Sequence, residues 1–235
     1  MHLPPNSGVI FDMDGLMLDT ERVGLIVWQE AARLAGYAMS DTLFASLIGR
    51  TNKDSRELLR DAFGPGFDYE AVVLKCGELY EDHVGRNGLP MKPGIRELLE
   101  ELAARRIPLA VATSTRAPVA RLRLEKAGLL SYFAVLVGGN EIVHGKPEPD
   151  IYLEAIRRLG IEASTSFALE DSHAGVRSAR AAGLNVIMVP DIVPPTPEIA
   201  ALTWRIAASL HDVRELLLED QPTSALPSKS PPTSR

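Results

Sequence analysis

Six short, unbroken apolar runs recur along the chain, and most are separated by segments whose apolar residues return every three or four positions. The runs are GVIF (8–11), IPLAVATS (107–114), FAVLVGG (133–139), SFALED (166–171), NVIMVP (185–190) and RIAAS (205–209). A continuous apolar run of this length fits a strand covered on both faces, as in a parallel sheet. The intervening segments IRELLEELAARR, PVARLRLEKAG, PDIYLEAIRRLG and AGVRSARAAG carry a helical period, and several end in glycine. Strand alternating with helix predicts an α/β fold, a doubly wound parallel Rossmann-like sheet. Ligands in such sheets bind beyond the carboxyl ends of the strands. Asp12, Thr113 and Asp171 all fall at such ends.

The alternation is interrupted between residues 19 and 87. Three consecutive stretches there, TERVGLIVWQEAARLAG, TNKDSRELLRDAFG and DYEAVVLKCGELYEDHVG, all read as helix. The expected organisation is a core of residues 1–18 and 88–220 with an all-helical cap domain inserted at 19–87. RNGLPMKPG (86–94) would lead the chain back to the core. The segment 221–235 is rich in Pro and Ser with little to bury, and is expected to be a disordered tail.

Hydrophobic residues make up 46% of the 235, enough for a sizeable core, and the formal net charge is -6. That charge argues against nucleic acid as a partner. The single cysteine, Cys76, excludes an internal disulfide and suits a reducing compartment. The N-terminal stretch has no basic region followed by a long apolar one, and no apolar run approaches the roughly 18 residues of a membrane span. A cytoplasmic, monomeric protein without membrane contact is expected.

Chemistry concentrates at the strand ends. Asp12 and Asp14 are two apart, so in extended backbone both carboxylates face one way. Two such charges need a counter-charge or a shared proton, and a hard cation such as Mg²⁺ would supply the former. An Asp-Gly turn explains the same string. Thr113, Ser114, Thr115 and Arg116 precede a helix, where hydroxyls and backbone N–H groups can hold an anion or simply cap the helix. Lys146 sits between Gly145 and Pro147, whose stiffness would fix its ammonium against a phosphate or a carboxylate. Glu170 and Asp171 supply the further acidic groups that a metal site requires. Ser172 reads as a helix N-cap, and His144 and His173 as structural or solvent-facing.

These features, in the order DMDG, ATS, GKPEPD and LEDS, resemble the haloacid dehalogenase superfamily of phosphohydrolases over nearly the whole chain. FDMDGLMLDTER, ATSTR, HGKPEPDIYL and MVPD are similar to its beta-phosphoglucomutase and pseudouridine monophosphate phosphatase branch. The resemblance implies that Asp12 is the nucleophile, that Asp14 is the acid and base, and that Thr113 and Lys146 hold the transferring phosphoryl group. It also implies Mg²⁺ on Asp12, the Asp14 backbone carbonyl and Asp171, with Glu170 nearby. The expected activity is a phosphatase of small phosphorylated metabolites, sugar or nucleoside monophosphates. A sugar phosphomutase is the alternative, and a phosphoacceptor signalling domain a remote one. Mutases of this branch carry a histidine early in the first cap helix, about where Gly24 stands here. Arg50, Asn52 and Lys53 in GRTNKDS are expected to lead into a cap helix and bind substrate, although a solvated helix start explains them too.

Overall fold

The computed structural model describes residues 4–48 and 52–218. Its strands are β1 (Val9–Phe11), β2 (Leu109–Thr113), β3 (Val135–Gly138), β4 (Phe167–Glu170), β5 (Asn185–Met188) and β6 (Arg205–Ile206). They form one sheet in the order β3-β2-β1-β4-β5-β6, and every pairing is parallel.

Alternate residues of each strand serve opposite faces. Val9 and Phe11 pack with Leu98 and Leu99 of α5 (Ile95–Ala104), Leu124 of α6 (Ala117–Lys126) and Val213 of α10 (Leu210–Leu218). Ile10 packs on the other face with Tyr152 of α7 (Asp150–Leu159), Val176 of α8 (His173–Ala181) and Ile199 of α9 (Pro197–Leu202). Burial on both faces is why these strands read as unbroken apolar runs. Each large apolar side chain so buried contributes roughly 1.5–3 kcal/mol against exposure.

β1 lies between β2 and β4, so the chain leaves it in one direction across the sheet and later returns to its other side. This is the topological switch point, where the connections diverge and leave a crevice beyond the carboxyl end of β1.

Between β1 and α5 the chain forms α1 (Thr20–Leu34), α2 (Asp41–Ala45), α3 (Asn52–Phe63) and α4 (Tyr69–Asn87). Val23, Val27 and Ala31 recur every fourth residue along α1 and pack in a separate cluster with Phe44, Leu59, Val72 and Cys76. Ser40 caps α2 by accepting from Leu43 N–H, and Asp68 caps α4 by accepting from Ala71 N–H. The two crossings between this helical insert and the sheet run side by side. Leu18 and Met91 form an antiparallel bridge, Asp19 N–H donates to Pro90 O at 2.8 Å, and Lys92 N–H donates to Met17 O at 2.9 Å.

Among the described residues no helix is long and apolar enough to cross a membrane. Residues 221–235, expected to be a tail, lie outside the described residues.

Candidate active site

The peptide after β1 continues the ladder for one more step, with Asp12 N–H donating to Leu169 O at 3.0 Å. Met13 then turns into the core while Asp12 and Asp14 line a cavity of about 560 Å³. Gly15 has φ +84, and a Cβ there would stand 2.2 Å from Asp171 Oδ2. Both facts require glycine: the backbone is left-handed and the adjoining carboxylate leaves no room.

Lys146 is the hub of the site. Its Nζ lies 2.5 Å from Asp12 Oδ1 and 2.5 Å from Glu170 Oε1, with the Tyr152 ring beneath it at 5.1 Å. Glu170 is fully buried. Its Oε1 also accepts from the Tyr152 hydroxyl at 2.7 Å, and its Oε2 accepts from Asp171 N–H, Ser172 N–H and the Ser172 hydroxyl. Ser172 in turn accepts from Gly175 N–H and so caps α8, as its position in the sequence suggests. Gly175 is a glycine because a Cβ there would fall inside the Glu170 carboxylate. Burial lowers the Lys146 ammonium, but the charges of Asp12 and Glu170 outweigh it and raise the group above its ordinary value. Lys146 therefore stays charged.

Oxygens of Asp12, Glu170 and Asp171 lie within 4.8 Å of one another, a grouping that could hold a metal ion. Glu170 already accepts five hydrogen bonds, which makes it the anchor of Lys146 and of the α8 N-terminus before it can be a ligand. Asp171, by contrast, has no hydrogen-bond donor on its carboxylate among the described residues. Burial raises Asp171 well above the usual carboxylate range, and the charges of Asp12 and Glu170 add to this. Asp12 is pushed up to about 7, chiefly by burial, with Lys146 opposing and Glu170 and Asp14 assisting. The buried Asp12 carboxylate and the part-buried, undonated Asp171 carboxylate are hard oxygen donors of the kind a divalent cation takes. The residues present fit such an ion.

Asp14 is held from β2 and α6. Its Oδ2 accepts from the Thr115 hydroxyl at 2.7 Å and the Thr113 hydroxyl at 3.3 Å, and its Oδ1 accepts from Arg123 Nη1 at 3.0 Å. Thr113, expected to face a phosphoryl group, thus directs its hydroxyl to Asp14 and accepts from Thr115 N–H. Ser114 is exposed at the cavity wall. Arg116 is exposed at the start of α6, away from the cavity lining; Asn140 Oδ1 accepts from Ala117 N–H there. Lys53 is exposed on α3 and likewise away from that lining. Arg50 and the side chain of Asn52 lie outside the described residues. His144 pairs with Asp150, and His173, which also lines the cavity, pairs with the Pro194 carbonyl.

Besides Arg123, the charged residues Glu21, Asp191 and Lys92 stand at the site without having been singled out from the sequence. Glu21, in the first turn of α1, lines the cavity, and burial together with the charges of Asp14 and Asp191 pushes it up to about 7. Asp191, three residues beyond β5, lines the cavity too; its Oδ1 meets Lys92 while its buried Oδ2 has no partner among the described residues. Lys92 stands on the segment returning from the insert. A signal existed for Asp191, which follows a strand end like Asp12 and Asp171. Glu21 lies within FDMDGLMLDTER, but no role was read for it, and nothing local marked Lys92. Gly24, the position aligned with the mutase histidine, packs against Phe44 instead, since a Cβ there would meet the ring at 3.2 Å.

The chain matches the family described as Haloacid dehalogenase-like hydrolase over residues 9–189, and it belongs to that family. It is 34% identical over 181 residues to the phosphorylated carbohydrates phosphatase of Thermotoga maritima, covering 77% of this chain and 83% of that protein. It is 27% identical over 183 residues to the fructose-1-phosphate phosphatase YqaB of Escherichia coli, covering 78% of this chain and 96% of the other. The crystal structure of CbbY from Rhodobacter sphaeroides in complex with phosphate superposes with a TM-score of 0.71 at 25% identity, covering 88% of this chain and 96% of that one.

Proposed function

We propose that this protein is a metal-dependent phosphatase of small phosphorylated metabolites and that Asp12 is its nucleophile. The observation that carries the reading is the convergence of Asp12, Lys146 and Asp171 beyond the switch point of the sheet, in a chain of this family. Lys146 engages Asp12 Oδ1 and leaves Oδ2 to attack phosphorus, forming an aspartyl phosphate. Its ammonium offsets charge on both the nucleophile and the transferring group. Ser114 and Lys146 line the cavity and can take phosphoryl oxygens, as can Thr113 when its 3.3 Å bond to Asp14 is exchanged. Asp14 donates a proton to the leaving oxygen, then removes one from the water that cleaves the acyl phosphate. Mg²⁺ bound by Asp12, the Asp14 carbonyl and Asp171 would supply Lewis-acid neutralisation between two anions.

The cavity volume suits a ligand of sugar size. Ile48, Ile192 and Val193 give it apolar walls, and Glu21 offers a carboxylate to the hydroxyls of a leaving group. Sugar or nucleoside monophosphates fit this wall, and the names of the two phosphatases above favour the sugar phosphates. The helical insert acts as the cap that brings Glu21 to the substrate. The single buried thiol, Cys76, is consistent with a reducing cytoplasm.

The test is phosphate release from a panel of phosphorylated metabolites, with and without EDTA. Wild-type protein should release phosphate only with the divalent ion, and Asp12→Asn should release none while remaining folded. Turnover by Asp12→Asn at the wild-type rate overturns the reading.

A further inference from the structure

Arg123 stands in the last turn of α6, and among the described residues its side chain's only hydrogen bond is to Asp14. The far face of its guanidinium is covered by the ring of Tyr80, 4.9 Å from guanidinium carbon to ring centroid. Tyr80 belongs to α4, in the helical insert. One side chain of the sheet layer thus holds the Asp14 carboxylate while resting on a ring supplied by the insert. Packing alone accounts poorly for a tyrosine at this place. Its hydroxyl is buried without a partner among the described residues, and an unpaired buried hydroxyl costs about 1–3 kcal/mol that a hydrocarbon side chain would not. What the residue offers is its ring face, and a planar, weakly hydrated guanidinium is the cation best suited to lie on it.

We propose that Arg123 is a positioning residue for Asp14 and that Tyr80 supports it, so that the placement of the helical insert sets the orientation of the Asp14 carboxylate. The inference rests on the reading of Asp14 as acid and base. Two of Asp14's three donors, the hydroxyls of Thr113 and Thr115, come from the sheet side and stay wherever the insert stands. The third is the one that senses the insert. When Tyr80 withdraws, Arg123 loses the surface that confines it, and Asp14 Oδ1 loses a fixed donor. Proton transfer then proceeds well only with the insert seated over the cavity.

The experiment compares wild type with Arg123→Ala, Arg123→Lys, Tyr80→Phe, Tyr80→Leu and the Arg123→Ala/Tyr80→Leu double variant on the best sugar monophosphate of the panel. Arg123→Ala should lower kcat about 10- to 100-fold, a share of what acid–base catalysis supplies, with KM within about threefold. Arg123→Lys should recover part of the loss. The loss in kcat/KM should be smaller for 4-nitrophenyl phosphate, whose leaving group needs no proton; a general structural defect would lower both substrates alike. Tyr80→Phe should match wild type, Tyr80→Leu should fall toward Arg123→Ala, and the double variant should be no worse than Arg123→Ala. Wild-type kcat in Arg123→Ala, or losses that multiply in the double variant, overturn the proposal. Thermal unfolding tests the same link without turnover. The Tm shifts of Tyr80→Leu and Asp14→Asn should be non-additive with Arg123 present and additive in the Arg123→Ala background. Additivity in both backgrounds overturns the proposal even if the wild type releases no phosphate, an outcome that would count against the phosphatase reading alone.

Discussion

Lys92 Nζ lies 2.5 Å from Asp191 Oδ1, joining the segment that returns from the helical insert to the loop that follows β5. Both side chains are largely buried, 17% and 11% exposed. Asp19, at the outgoing crossing, approaches the same ammonium at 3.4 Å, near enough to feel its charge although its buried Oδ1 makes no hydrogen bond. Lys92→Met would leave Asp191 without its cation, while Asp19 keeps Arg22 at 3.1 Å. The expected cost is about 3 kcal/mol, or ~6–12 °C in Tm for a chain of this size. Lys92→Arg should lose much less. An unchanged Tm in Lys92→Met would show that the pair contributes no net stability.

Glu21 makes stability depend on pH. Its pKa rises from an ordinary carboxylate value to about 7 in the folded protein, chiefly through burial, with Asp14 and Asp191 next. The folded state therefore holds a proton that the unfolded state has lost between about pH 4.5 and 7. Stability from this group is full below the unfolded value and falls as pH rises through 7. Glu21→Gln removes the group, so the variant should be more stable than wild type at pH 8, by an amount on the order of 3 kcal/mol. The advantage should shrink toward pH 5. Urea midpoints at the two pH values, measured with EDTA present, decide the matter, and an equal gap at both would refute the assignment.

Gly15 permits the two acidic loops to touch. Gly15→Ala would force a left-handed backbone on a residue with a side chain and drive its methyl into Asp171 Oδ2. The expected result is a folded protein whose phosphate release drops about 100-fold, the penalty of displacing a site group by an ångström. Titration with Mg²⁺ should show a raised requirement. Wild-type activity at wild-type Mg²⁺ would show that Asp171 is not constrained from this side.

Hydrolysis should prevail over isomerisation. α1 presents Glu21 to the cavity and turns Gly24 toward Phe44, so it supplies no histidine to favour a sugar hydroxyl over water. Given beta-glucose 1-phosphate and a trace of the bisphosphate, any product formed should be free phosphate. Rapid appearance of glucose 6-phosphate without phosphate release would promote the mutase reading.

Asp12, Thr113, Glu170 and Asp171 were legible in the sequence because strand ends are legible, and Lys146 because Gly145 and Pro147 stiffen the loop around it. Apolar runs with two-sided burial announce parallel strands, and parallel strands place their carboxyl ends together. The runs overstate the strands slightly: 107–114 contains β2 at Leu109–Thr113. The partners were not legible. Arg121 and Arg123 are both basic residues of α6, and only the three-dimensional course of the chain brings the second to Asp14, 109 residues away. Periodicity tells which helix face is buried, not which polar side chain on its border reaches another element. Glu170 reads as one more metal carboxylate for the same reason, since its five donors come from Lys146, Tyr152 and the turn into α8.

The paired crossings at Leu18 and Met91 mean that the insert begins and ends at one spot, already stitched together by backbone hydrogen bonds. Excising what lies between would leave neighbouring ends that a short turn can close, with the strand register of β1 and β2 untouched. Inheritance can treat such a unit as a cassette. A lineage can lengthen, shorten or replace helices of the insert while Asp12, Lys146, Glu170 and Asp171 keep their places on the sheet, and the support of Asp14 through Tyr80 is the tie between the two parts.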